Sequence, residues 1–129
     1  SSGAVSLQGV VVKTSDQNTF TAAQVGSTQT ASINSSTTLD FSVYQNFVLT
    51  LTGSVTLDNP TTETAGQSGF ITFIQDGTGS RTVSLGTDYE TAGASGLTLS
   101  TAASTTDIVP YVVTSTGRIL LGAPQLAFA

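Results

Sequence analysis

Apolar residues in this chain recur every second position, in short bursts, and almost never at helical spacing. Phe47, Leu49 and Leu51 alternate with Val48 and Thr50, and Leu39, Phe41 and Val43 alternate with Asp40 and Ser42. A period of two marks strands with one buried face. Val55 and Leu57 follow Gly53-Ser54, a pair that suits a tight hairpin. Asp58-Asn59-Pro60 closes that run, because proline cannot join a central ladder. Phe70-Ile71-Thr72-Phe73-Ile74 is a denser apolar strand, and Arg81 to Leu85 reads as its returning partner. The link between them, Gln75-Asp76-Gly77-Thr78-Gly79-Ser80, is rich in residues that tolerate positive φ. Leu97 and Leu99 begin a short strand. Ile108 to Val113 and Arg118 to Leu121 make a last hairpin around Ser115-Thr116-Gly117. Pro110 inside it points to an edge or a bulge.

Ser100 to Thr106 is the one stretch that could make a helical turn. The expectation is an all-β chain: an antiparallel β-sandwich, jelly-roll-like, with about eight strands. No internal repeat of solenoid length is visible. Residues 1–36 read as an N-terminal arm or irregular edge strands, and 37–129 as the sandwich, in one domain overall. A length of 129 residues suits one such domain.

Composition fits that reading. Thr and Ser fill about a third of the chain, and charged residues are only 9% against a usual level of about 25%. Thr is β-branched and suits a half-exposed strand face. The formal net charge is -5, with Lys13, Arg81 and Arg118 the only cations. Three scattered cations cannot neutralise a run of phosphates, so no nucleic acid is expected as a partner. An anionic membrane is disfavoured for the same reason. No apolar run approaches the roughly 20 residues of a helical span.

The chain has no His and no Cys. Ser-His-Asp and Cys-His nucleophilic sites are therefore excluded, as are the usual ligands of zinc, copper and haem. Carboxylates remain. Glu63 and Glu90 lie in two polar loops with Asp58 and Asp88 near them, and could converge at one end of a sandwich. The plainer reading makes them solvated loop charges. Asp76-Gly77-Thr78-Gly79 resembles half a calcium loop but lacks further Asp residues at the right spacing. Asp16, Gln17 and Asn18 form another incomplete acidic turn. The expectation is no enzyme, no cofactor and no metal.

Several residues stand out as candidate partner contacts. Val10, Val11 and Val12 form a short apolar run in an otherwise polar N-terminal stretch. Arg81 either pairs with Asp76 or Asp88 within the chain or reaches another subunit. Tyr89, in the loop from Gly86 to Gly96, is placed for a binding surface. Leu126 and Phe128 belong to an uncharged tail, Ala123 to Ala129. That tail either returns as a strand or docks on a partner.

The run from Ala65 to Val83, with Gly66-Gln67-Ser68-Gly69 and Gln75-Asp76-Gly77-Thr78-Gly79-Ser80-Arg81 inside it, resembles a module of tailed-bacteriophage structural proteins. Such modules occur at tail-fibre ends and in small virion proteins. The resemblance extends over roughly Gly26 to Leu121, through Leu39-Asp40 and the stretch Thr101 to Asp107. Members commonly carry a Trp in the loop after the central strands, where this chain reads Gly86-Thr87-Asp88-Tyr89-Glu90. The resemblance implies a virion protein. Its expected partners are copies of itself, in a trimer for example, and the major capsid protein or other virion proteins. Capsid decoration or cementing is the first reading. A tail-fibre or receptor-binding module touching a host surface glycan is the alternative.

Overall fold

The computed structural model describes residues 14–129; Val10, Val11 and Val12 lie outside the described residues. Ten strands follow one another: β1 (Thr28–Ile33), β2 (Thr37–Thr38), β3 (Asn46–Leu51), β4 (Val55–Asp58), β5 (Ser68–Gln75), β6 (Val83–Leu85), β7 (Tyr89–Glu90), β8 (Thr106–Ser115), β9 (Arg118–Leu121) and β10 (Gln125–Phe128). One 3-10 turn, Ala92–Ala94, interrupts them. The all-β expectation stands.

The antiparallel, jelly-roll-like sandwich does not. β1, β3 and β5 lie side by side and parallel in one sheet, and β2, β4 and β6 lie side by side and parallel in a second. The chain therefore winds three times, each turn giving one strand to each sheet. Only the last part is antiparallel: β8 pairs with β5, and β9 and β10 both run along the other side of β8. β7 adds to β9 in parallel.

The two hairpins expected in the middle of the chain are corners of this coil. Gly53-Ser54 does not return β4 onto β3; it carries the chain from one sheet to the other. A side chain at Gly53 would meet the Asn34 carbonyl oxygen at 2.8 Å, so the second corner sits directly on the first. Thr52 N donates to Ile33 O at 2.9 Å, and Thr82 N to Ser54 Oγ at 3.2 Å, tying successive turns together. β5 and β6 are likewise in different sheets. The alternation Leu39-Phe41-Val43 is a turn, not a strand. Tyr44 N donates to Asp40 O at 3.0 Å and Ser42 N to Asp40 Oδ1 at 3.0 Å, while Leu39 and Phe41 plug the interior and Val43 stays exposed. Leu97 and Leu99 lie in no strand, and Ser100 to Thr106 makes no helical turn.

Inward positions stack from turn to turn. Gln29, Phe47 and Ile71 are neighbours in register, as are Ala31, Leu49 and Phe73, and as are Ile33, Leu51 and Gln75. Leu57 does the same for the small sheet, next to Leu85. Phe47, Leu49, Leu51, Leu57 and Ile71 are completely buried. The Phe41 ring stacks on Phe47 at 5.3 Å and lies 5.1 Å from Tyr111, closing one end of the interior.

The final hairpin, β8–β9, is as expected. Pro110 is on a central strand, not an edge. By register its missing N–H faces the gap between β9 and β10, where Gly122 N donates to Pro110 O at 2.8 Å and the chain swings outward. Central placement of proline is tolerated because no ladder bond is needed at that break.

Candidate functional site

The signature residues turn out to be fasteners. Gln75 is inward-facing and buried in the row of Ile33 and Leu51. Its amide donates to Arg81 O at 2.8 Å and Ser100 O at 2.9 Å, and its carbonyl accepts from Arg81 N at 3.0 Å. Asp76 Oδ1 accepts from Thr78 N at 3.1 Å and Gly79 N at 2.9 Å, shaping the turn. Gly79 has φ +75°, and a side chain there would meet Thr101 O at 2.6 Å. Gln67 donates to Tyr44 O at 3.0 Å and to the Tyr111 hydroxyl at 3.2 Å, and that hydroxyl donates to Gln45 O at 2.6 Å. Asp107, 2% exposed, accepts from Ser100 N at 2.6 Å and Ala127 N at 2.8 Å. Gln75 and Asp107 were missed as key residues. Their signal was a polar side chain at an inward position of a strand, after Ile71 and Phe73 and before Val109 and Tyr111.

Arg81 lies on Asp76, with Nε to Oδ1 at 3.3 Å and Nη2 to Oδ2 at 2.9 Å, an ion pair within the turn. The guanidinium, then the Gly79 N–H, hold the Asp76 carboxyl down from 3.8 to about 2. Arg118 makes the matching pair with Glu90, Nε to Oε2 at 2.6 Å, which lowers the Glu90 carboxyl.

The acidic loops converge in part. Glu63 and Asp88 meet beside the β8–β9 turn, where Glu63 Oε2 accepts from Gly117 N. Burial, and then a hydrogen bond to the Asp88 carboxyl, push Glu63 above its ordinary 4.5. Glu63 Oε1 is buried with no donor of its own. Asn59 steadies Asp88 by accepting from its N–H at 2.9 Å. Among the described residues no group of three or more His, Cys, Asp or Glu side chains could hold a metal ion.

Tyr89 is not at the surface. The residue is 5% exposed, its ring edge lies against Phe41 at 6.4 Å, and its hydroxyl is buried without a partner. Burial, then the charges of Glu63 and Asp88, push its phenol far above the usual range. β7 carries it inward because Glu90, its neighbour, takes the outward position. The loop instead leaves a groove of about 380 Å³ lined by Leu85, Thr87, Glu90, Thr91, Ala94 and Gly96, with Tyr89 at its floor.

The tail returns as β10 on the edge of β8, and Leu126 and Phe128 stay about half exposed there. Phe128 lies level with Thr106 on the outer face of the large sheet. On that face Phe70 is 54% exposed, opposite Pro110, and Val112 is exposed opposite Leu120. Of the residues on this surface, sequence reading singled out Phe128 but not Phe70 or Val112.

A short parallel coil sealed by a hairpin, pinned by buried amides and carboxylates, is a structural β-module. A family model described as "Putative phage tail fibre C-terminal domain" matches residues 35–118. The chain belongs to that family, and it is a structural protein of the phage virion. No curated protein and no solved structure gave a match.

Proposed function

We propose that this chain is a terminal module of a tail fibre, a non-catalytic adhesion unit that contacts a glycan on the host surface. The family match over residues 35–118 carries this reading, since its description is of a tail-fibre end. It favours the tail over capsid decoration, which the sequence alone had put first. The groove beside Thr87, Glu90 and Thr91 supports it, because two hydroxyls and a carboxylate can exchange hydrogen bonds with sugar hydroxyls. Tyr89 contributes from below by packing, not by stacking on a sugar. The Arg118–Glu90 pair holds one wall of the groove in place.

Competition for adsorption tests this. Purified chain added to host cells should slow adsorption of the phage that carries it, and Thr91→Lys, which fills the groove, should remove the effect without unfolding the chain. A chain that never competes, or a T91K variant that competes equally well, contradicts the proposal.

A further inference from the structure

The groove beside β7 carries its own selectivity in its charges. Among the described residues, Glu90 is the one charged side chain in its lining, and no cation joins it there. The two cationic side chains among the described residues are both paired. Arg81 lies on Asp76 at 2.9 Å, and Arg118 holds Glu90 by two bonds, Nε to Oε2 at 2.6 Å and Nη2 to Oε1 at 3.0 Å. That hydrogen bonding keeps the Glu90 carboxyl below its ordinary 4.5, so it stays ionised near neutrality. More carboxyls lie behind it. Glu63 Oε2 accepts from Gly117 N, and a side chain at Gly117 would stand 3.9 Å from Asp88 Oδ1. Burial, then the charges of Glu63 and Asp88 and, further down, of Asp58, push the phenol of Tyr89 upward at the groove floor.

The neutral groups of the groove are oriented as well. Asn59 Oδ1 accepts from Asp88 N at 2.9 Å, which fixes its amide with Nδ2 towards Thr87. Thr87 Oγ1 accepts from that Nδ2 at 2.8 Å, and Thr91 Oγ1 accepts from Gly96 N at 2.8 Å. Each hydroxyl keeps its own hydrogen to donate outward. Glu90 accepts once at each oxygen and keeps lone pairs for a ligand. The groove therefore offers two O–H donors and one charged acceptor, beside the apolar Leu85 and Ala94.

We infer that this groove takes an uncharged saccharide and turns away acidic ones, those bearing carboxylate or phosphate groups. The inference rests on the glycan reading above and adds the class of sugar. A sugar hydroxyl both donates and accepts, so it answers Glu90 and the two threonines alike. An ionised carboxylate or phosphate only accepts. It would face Glu90 with no free cation beside it, and enclosing such a charge unpaired is costly. Long-range charge acts in the same direction. The chain carries -5, so an anionic glycan is repelled on approach and a neutral one is not.

Binding of the full chain to intact host cells tests it. The cells are left untreated, oxidised with periodate, or capped at their surface carboxyls as neutral amides. Periodate cleaves the vicinal diols of sugars and should cut binding at least tenfold. Capping should leave binding equal or stronger. Raising the salt from about 20 mM to about 500 mM, which screens charge and covers phosphates too, should do the same. A tenfold loss on capping or in high salt overturns the inference and leaves the glycan reading standing. Binding that survives periodate, or that T91K retains, contradicts the glycan reading at this groove and takes the inference with it.

Discussion

Buried polar side chains decide how this coil ends. Gln75 stands where the two preceding turns place Ile33 and Leu51, and it binds three backbone groups of the 81–100 region instead of packing. Each of those groups would cost about 1–3 kcal/mol if left unpaired in the interior. Two carboxyls give the molecule opposite responses to pH. Glu63 is raised above 4.5 in the folded chain, so it binds its proton more tightly there than when unfolded. Its contribution is fully present below 4.5 and is lost as pH rises through the folded value. Asp76 is lowered from 3.8 to about 2, so its contribution is present above 3.8 and is lost as pH falls towards about 2. Urea unfolding across the acid range should therefore show stability falling on both sides. Glu63→Gln should flatten the upper limb alone and Asp76→Asn the lower limb alone. An E63Q variant that keeps the wild-type decline above 4.5 would remove Glu63 as its cause.

Most of the longer strands were legible in the sequence; apart from the β8–β9 hairpin, their partners were not. Alternation reports which face of a strand is buried, and Phe47-x-Leu49-x-Leu51 looks the same beside a parallel or an antiparallel neighbour. The short link Gly53-Ser54 imitates a hairpin turn, although its glycine is there because the Asn34 backbone lies against it. The three turns left no repeat to detect. Thr28 pairs with Asn46 and Phe47 with Ile71, spacings of 18 and then 24 residues, since the loops between strands differ in length. Leu39 and Phe41 had the period of a strand but fill the interior from a turn built on Asp40. At the candidate site, convergence of the two acidic loops was open to sequence reading because Glu63, Glu90, Asp58 and Asp88 all lie in polar loops, but the meeting of Glu63 with Asp88 beside Gly117 was not. Tyr89 was read outward because its loop is polar, whereas parallel pairing with β9 turns it in. A pair of glycines tests the corner. Gly53→Ala forces its new carbon to 2.8 Å from Asn34 O and should destabilise the chain by about 1–3 kcal/mol. Gly77→Ala meets nothing within 4 Å, and Gly77 has no positive φ, so it should be neutral or slightly stabilising. Equal stability of the two variants by urea unfolding would contradict stacked corners.

At the scale of the whole molecule, one face of the large sheet is buried in the interior and the other leaves Phe70 and Val112 exposed, while the loop end carries a groove and an acidic pair. The long signature from Gly66 to Arg81 maintains the fold: Gln67, Gln75, Asp76 and Arg81 all spend their hydrogen bonds inside the chain. On the proposed function, the less distinctive Thr87 to Thr91 segment is the part left for contact with other molecules. On the same proposed function, such a module sits at the end of a virion appendage. Mass spectrometry of separated heads and tails, with copy number per particle, tests that most directly. A few copies, all on tails, is the result predicted. Hundreds of copies on heads would contradict it and return the chain to the capsid surface.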